Sequence, residues 1–290
     1  MGQFLRRCFD PPGHRGPRPR RRAWTRLRDA ERMSGGTLAK KIGTSQPQLS
    51  RVENARGQLS AAQLDKLIKV FGVDARKAEE MHTLRRDGNV LGWWEQYSDV
   101  LPDNIELLIG LEAGAAWEQT YEDAFIPGLL QTPDYARAVI SSAAPFLRSA
   151  DVPTLVQLRT DRQQRLTATD FRLTAVINEA ALHRWVGGRE VMHAQLRHLL
   201  DAQHNATVEV LVLPYEAGEH PAQGQSFALL IFPEPEDPAI VFLDYAHSSG
   251  FLEKAHEIRQ HTSVFGAVTA KALDPDDSMR KIAEIAATFT

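Results

Sequence analysis

The sequence predicts two fold classes in one chain: a small all-α unit of five helices over residues 23–88, then a mixed α/β (α+β) domain over residues 89–290. Three observations predict this. Residues 34–54 read as two short helices joined at a glycine. Period-two alternation, the mark of strands, begins only well beyond residue 100. The charge also changes sign along the chain. Residues 1–90 hold 20 Lys/Arg and 9 Asp/Glu, a net of +11, whereas residues 91–290 hold 14 and 28, a net of −14. The near-neutral total of −3 therefore hides a basic head and an acidic body.

Residues 1–22 are rich in Pro, Gly and Arg without periodicity, which predicts a disordered basic tail. It is either an arm that lies along phosphates or a plain solvated extension. A first helix is expected over about Arg22–Arg32, with Trp24, Leu27 and Ala30 or Glu31 at helical spacing. The second carries Leu38, Ala39 and Ile42 on one face and ends at Gly43, where a left-handed turn needs no Cβ. Ser45 then opens a third helix as N-cap, and Gln48 three residues on completes a Ser-x-x-Gln capping box. Leu49 and Val52 form its inner face, leaving Gln46, Gln48, Ser50 and Arg51 on other faces. Ser60 caps a fourth helix with Leu64, Leu67, Ile68 and Phe71 inward and Gly72 closing it. A fifth, about Ala75–Arg86, carries Met81 and Leu84.

Two helices at a tight glycine turn, with Gln and Arg exposed on the second, form a helix-turn-helix, the geometry that enters a DNA major groove. Gln46 and Arg51 are the expected base contacts, Arg51 towards guanine O6/N7 and Gln46 towards adenine. Gln48 serves either the cap or a base. Lys40, Lys41 and Arg56 are the expected phosphate contacts. Residues 23–73 resemble the lambda-repressor-like (Cro/CI, or xenobiotic-response-element, XRE) class. That resemblance implies a buried ion pair between Arg28 and Glu53, base contacts at Gln46 and Arg51, and phosphate contacts at Ser45 and Ser50. Two departures are visible. Pro47 replaces a residue able to donate to DNA, and Gly35-Gly36 open the second helix where polar residues are usual.

Beyond residue 90 the expected order is helix, Pro-containing turn and helix over 91–118, then a strand or extended run over 120–131. Thr132-Pro133-Asp134 starts the next helix, with Thr as N-cap, Pro at N1 and Asp facing the dipole. A long polar helix follows over Pro153–Leu166. Strands are expected at Phe171–Asn178, Thr207–Leu213, Ser226–Phe232 and Ile240–Asp244. Helices fall near Glu179–Trp185, Glu190–His204, Leu252–Lys271 and Asp276–Phe289.

The runs GWWEQY, IGLEAGAA, IPGLLQTPDYARAVI, RQQRLT, INEAALHRWVGG and VLPYEAGEHP resemble the C-terminal domain of a large group of actinomycete regulators. That domain is of uncharacterised activity and is described as antitoxin-like. The resemblance covers almost all of residues 91–285. It implies a transcriptional regulator whose C-terminal domain senses a ligand, dimerises or binds a small protein partner at 89–290.

No catalytic spacing is found, and no enzyme activity, cofactor or metal is expected. His256-Glu257…His261 is one residue longer than the zinc-protease pattern, and five residues turn a helix by about 500°, leaving the two imidazoles roughly 140° apart. Gly224-Gln225-Ser226-Phe227-Ala228 lacks the second glycine of a nucleophile elbow. Trp93, Trp94, Tyr97, Trp117, Tyr121 and Trp185 are read as domain core before cavity lining. The loop with Gly218, His220-Pro221 and Gly224 is a lid or a turn. The single cysteine, Cys8, excludes a disulfide framework and points to a reducing cytoplasm. No window of 18 apolar residues spans a membrane. The expected partners are double-stranded DNA and a second copy of the chain.

Overall fold

The computed structural model describes residues 33–53, 59–75, 78, 79, 81, 82, 93–142, 148–234, 237–245 and 248–290. The chain divides into two compact units, with the boundary between Leu107 and Leu108. The boundary expected at 88/89 lies in a stretch outside the described residues, as do the tail over 1–22 and the helix over 22–32.

In the first unit, α1 spans Gly35–Ile42, α2 Gln46–Glu53 and α3 Ala61–Val70. Ser34 caps α1, its Oγ accepting from the Thr37 backbone N–H at 3.1 Å. The two opening glycines, which favour fraying, are thus held by this cap. Gly43 ends α1 in the left-handed region at φ 75°, with the Thr44 N–H returning to Ala39 O at 2.9 Å. Leu38, Ala39, Ile42, Leu49, Leu59, Leu64, Leu67 and Met81 form one buried core, flanked by Ile68 and Phe71. Residues 81 and 82 are helical, and His82 Nε2 lies 2.9 Å from Asp65. The described residues thus give an N-terminal helix-turn-helix region with a third helix behind it. A 3₁₀ turn follows at Trp93–Tyr97, where a helix is expected from sequence.

The second unit is a six-stranded mixed sheet in the order β3-β2-β1-β4-β5-β6. Helix α4, Asp103–Gly114, leads into β1, Trp117–Glu122. Helices α5 (Pro133–Ser142) and α6 (Val152–Arg162) link β1 to the parallel strand β2, Arg172–Asn178. Helices α7 (Glu179–His183) and α8 (Arg189–Ala202) link β2 to β3, Val208–Leu213, again parallel. The chain then returns to the other side of β1. There β4 (Phe227–Ile231), β5 (Ile240–Tyr245) and β6 (Ser248–Leu252) run antiparallel in turn. Helices α9 (Ala255–Lys271) and α10 (Pro275–Ala287) complete the unit.

One sheet face carries Tyr121, Val176, Leu211, Leu213, Phe227, Leu229, Val241 and Leu243, packed against Phe265 and Val268 of α9. Strand alternation puts Glu118, Thr120 and Glu122 on the opposite face. The outer edge of β3 is bound by the α9–α10 connection. The Val212 N–H donates to Ser278 Oγ at 2.9 Å, and Val212 O accepts from the Leu273 N–H at 2.8 Å.

Three elements differ from the sequence expectation. The run expected to be extended over 120–131 is a strand that starts earlier, at Trp117, and ends at Glu122; Gly128–Leu130 is a 3₁₀ turn. Pairing with neighbours on both sides fixes this strand more firmly than its own pattern does. A sixth strand, Ser248–Leu252, takes Leu252 out of the expected helix, which begins at Ala255. The polar helix stops at Arg162 and continues as a 3₁₀ turn, Gln163–Thr167.

Candidate functional site

The helix-turn-helix is built from its caps. Ser45 Oγ accepts from the Gln48 N–H at 3.2 Å, so the expected N-cap forms. No bond returns from the Gln48 side chain to Ser45, so only half of the capping box is made. The complete box lies one helix later, where the Ser60 N–H donates to Gln63 Oε1 at 2.9 Å and the Gln63 N–H to Ser60 Oγ at 3.2 Å. Gln63 also donates from Nε2 to Gly43 O at 3.4 Å, pinning the turn to the start of α3. Released from the cap, the half-buried Gln48 side chain keeps its amide for other partners.

Gln46 is exposed at the first position of α2, and Pro47 follows in the first turn, where its missing N–H is harmless. A Cβ on Gly36 would lie 3.5 Å from Gln46 Oε1, so the amide of Gln46 rests over the bare start of α1. Lys40 and Lys41 are exposed in the last turn of α1, where they also complement the negative helix end. Ser50, Arg51 and Glu53 have helical backbone in α2, while their side chains lie outside the described residues. Arg28 and Arg56 lie outside them entirely, and with them the expected Arg28–Glu53 pair.

The second unit holds a charged centre that the sequence reading missed. Arg162 grips Glu112 with both Nε, at 3.0 Å from Oε2, and Nη2. Both side chains are buried, at 10% and 4% exposure. Arg165 caps the end of α4, donating to Ala115 O at 2.7 Å and Glu112 O at 3.3 Å. Arg159, one turn before Arg162, donates from Nη1 to Gln131 Oε1 at 2.7 Å. Gln131 in turn donates to Ile126 O at 2.7 Å, and buried Gln195 bridges Leu130 O and the Thr132 N–H, each at 2.7 Å. Thr132 caps α5 as expected, its Oγ1 accepting from the Tyr135 N–H at 3.4 Å. The IPGLLQTPDYA run is therefore a scaffold whose polar side chains satisfy buried backbone and fix Arg159.

Glu118 and Glu122 of β1 face the same centre. Burial pushes the Glu118 carboxyl well up, reinforced by Glu112 and opposed by Arg162. Burial likewise raises Glu122 to about 7, against a hydrogen bond from Ser226, with Asp244 adding to the rise and Arg159 opposing it. Arg159 is lowered to about 10 by burial and Arg162. A carboxyl that is raised on folding stabilises the fold least at high pH, where the folded state must carry its charge. Glu122→Gln is thus expected to stabilise the second unit by about 1–3 kcal/mol at pH 8, with the gain shrinking towards pH 4.5. Thermal melts of the variant and parent at the two pH values measure this; equal gains at both would contradict it.

A second polar cluster sits at the carboxyl ends of β1 and β2. Tyr121 donates its hydroxyl to Asp123 Oδ1 at 2.8 Å and accepts from Asn178 Nδ2 at 3.2 Å. His220 Nε2 approaches the same hydroxyl at 3.4 Å, and its Nδ1 is buried without a partner. The His220 loop thus packs on the sheet end through this contact and through buried Ala222. Of the aromatic residues expected in the core, Trp94, Tyr97 and Tyr121 are buried, but Trp93 and Trp185 are 40% and 62% exposed. Among the described residues no group of three or more His, Cys, Asp or Glu is placed to hold a metal ion, and no helix is long and apolar enough to cross a membrane.

Comparison with protein families gives two matches. A helix-turn-helix domain matches residues 25–81, and a domain of unknown function (DUF5753) matches residues 105–284. No curated protein and no solved structure matches the chain. The second match spans more than half of the chain, which therefore belongs to the DUF5753 family, with a helix-turn-helix domain ahead of it.

Proposed function

We propose that the protein is a sequence-specific DNA-binding transcriptional regulator that reads an operator through the helix at 45–54. The observation that carries this reading is the Gly43 turn. It sets a Ser45-capped helix with exposed Gln46 against α1, beside a strongly basic N-terminal sequence. In this reading residues 23–88 form the five-helix, lambda-repressor-like head of an XRE-type regulator. Residues 89–290 form the regulatory body that senses a ligand or dimerises. One recognition helix reads only a few base pairs, so a homodimer on a roughly palindromic operator in the cytoplasm is proposed.

Gln46, Gln48 and Arg51 are assigned to bases, and Ser45, Ser50, Lys40, Lys41 and Arg56 to phosphates. An ion pair between Arg28 and Glu53 is assigned to the assembled head. Purified protein incubated with fragmented genomic DNA is expected to retain a shared inverted repeat, and the Gln46→Ala/Arg51→Ala double variant to lose it. Each lost base contact should cost about 1–3 kcal/mol of discrimination. Lys40→Ala should instead weaken all sequences alike and flatten the salt slope by about one unit. Equal loss on specific and scrambled DNA for Arg51→Ala would refute its base-reading role.

A second reading is favoured by the −14 charge of residues 91–290. In it the body is antitoxin-like: it captures a small, basic protein, and DNA binding serves autoregulation. A stoichiometric small protein that copurifies with the chain and is released by salt supports this view.

A further inference from the structure

A buried guanidinium is costly unless its donors are used, and a carboxylate normally takes them. Arg159 departs from this pattern. Among the described residues its only hydrogen bond goes to the neutral amide of Gln131, and it forms no ion pair. Its neighbour Arg162 is fully engaged by Glu112. Glu122 and Asp244 lie close enough for their charges to act on Arg159, yet neither bonds to it. Glu118 is 6% exposed, and its Oε2 is buried without a hydrogen-bond partner.

Sheet register supplies the geometry. Tyr121 pairs with Phe227 and Phe227 with Leu243, so the next row runs Glu122, Ser226, Asp244. Two carboxylates therefore project from one sheet face, about 10 Å apart across two strand spacings. The residue between them is a small serine. Asp244 is exposed and Glu122 and Arg159 are half-buried, while Glu118 and Glu112 are buried and Arg162 nearly so. Arg159 offers donors to an anionic group, and Glu122 and Asp244 offer acceptors to a cationic one. A ligand carrying both charges complements both sets.

We propose that this centre binds a small zwitterion with the chemistry of a free amino acid. The ligand carboxylate takes the unused donors of Arg159, and the ammonium sits between Glu122 and Asp244 over Ser226. The Arg159 fork suits a planar carboxylate, and its attachment to Gln131 presets its orientation. The inference rests on residues 89–290 being the sensing body, but it concerns binding and needs no operator.

The test is isothermal titration of the full chain, without DNA, against each proteinogenic L-amino acid up to about 10 mM. The methyl ester and N-acetyl form of any that binds are titrated alongside. Saturable binding is expected for one or a few amino acids, and blocking either end should weaken it about 10- to 100-fold, the scale of a lost charge-assisted contact. Arg159→Gln should bind the free acid and its ester equally, and Glu122→Gln should bind the free amine and its N-acetyl form equally. A merely structural role for either residue leaves those preferences unchanged. If a variant does not fold, the blocked ligands on the parent protein still decide. Absence of binding by every amino acid overturns the proposal, as does a ligand indifferent to both blocks. Failure of the protein to select an operator, with amino-acid binding intact, counts against the regulator reading alone.

Discussion

Arg162→Met is expected to destabilise the second unit by about 3–5 kcal/mol, because it leaves the carboxylate of Glu112 buried without its partner. Glu112 stands on α4 and Arg162 at the end of α6, 50 residues apart in sequence. Their pairing closes one side of the sheet. Breaking it also removes the positive charge that opposes the burial-driven rise of the Glu118 carboxyl. The double variant Glu112→Leu/Arg162→Met should regain most of the loss, since an apolar pair of similar volume avoids desolvating two charges. Chemical denaturation of the two variants separates the cases. A double variant as unstable as the single one would mean that the pair matters through shape and not through charge.

Leu38→Ala is the second large effect, expected to cost the first unit about 2–5 kcal/mol. Leu38 is fully buried in a core built from α1, α2, α3 and the residues about Met81, so the cavity cannot be filled from outside. Helix α2 is seated in that core through Leu49. Hydrogen exchange should therefore quicken at the amides of 35–49 and leave β1 and β2 as slow as in the parent. DNA affinity should fall for specific and scrambled sequences together. Uniform acceleration of exchange across both units would contradict this separation.

The helix-turn-helix could be read from sequence because its signals are local. Gly43, Ser45 and Ser60 act on residues three or four positions away, within reach of any inspection of the chain. Ser45-x-x-Gln48 and Ser60-x-x-Gln63 both spell a capping box, and only the second is complete, so tertiary packing decides between them. The sheet was readable where strands alternate clearly, as at Phe171–Asn178. It was not at Ser248–Leu252, too short and glycine-broken to carry a pattern. The charged centre was hidden for another reason. Arg159 and Arg162 lie on a helix polar enough to pass for a surface one, and Glu118 and Glu122 alternate in a strand as exposed residues do. Only the fold, which brings Arg159, Arg162 and Glu112 from two helices to that face of β1, turns those carboxylates inward.

The occupied flank of β3 limits how copies of this chain can join. A strand edge is a template for another strand, and unshielded edges invite stacking into open-ended aggregates. At Val212 both outward backbone groups are already used by Leu273 and Ser278, so an incoming strand would first have to peel away the link between α9 and α10. Strand-to-strand joining at this position is thereby hindered, and β6 is the other end of the strand order. Growth into an open-ended filament needs both edges of a sheet, so a sheet hindered at one edge can at most join a single copy through the other.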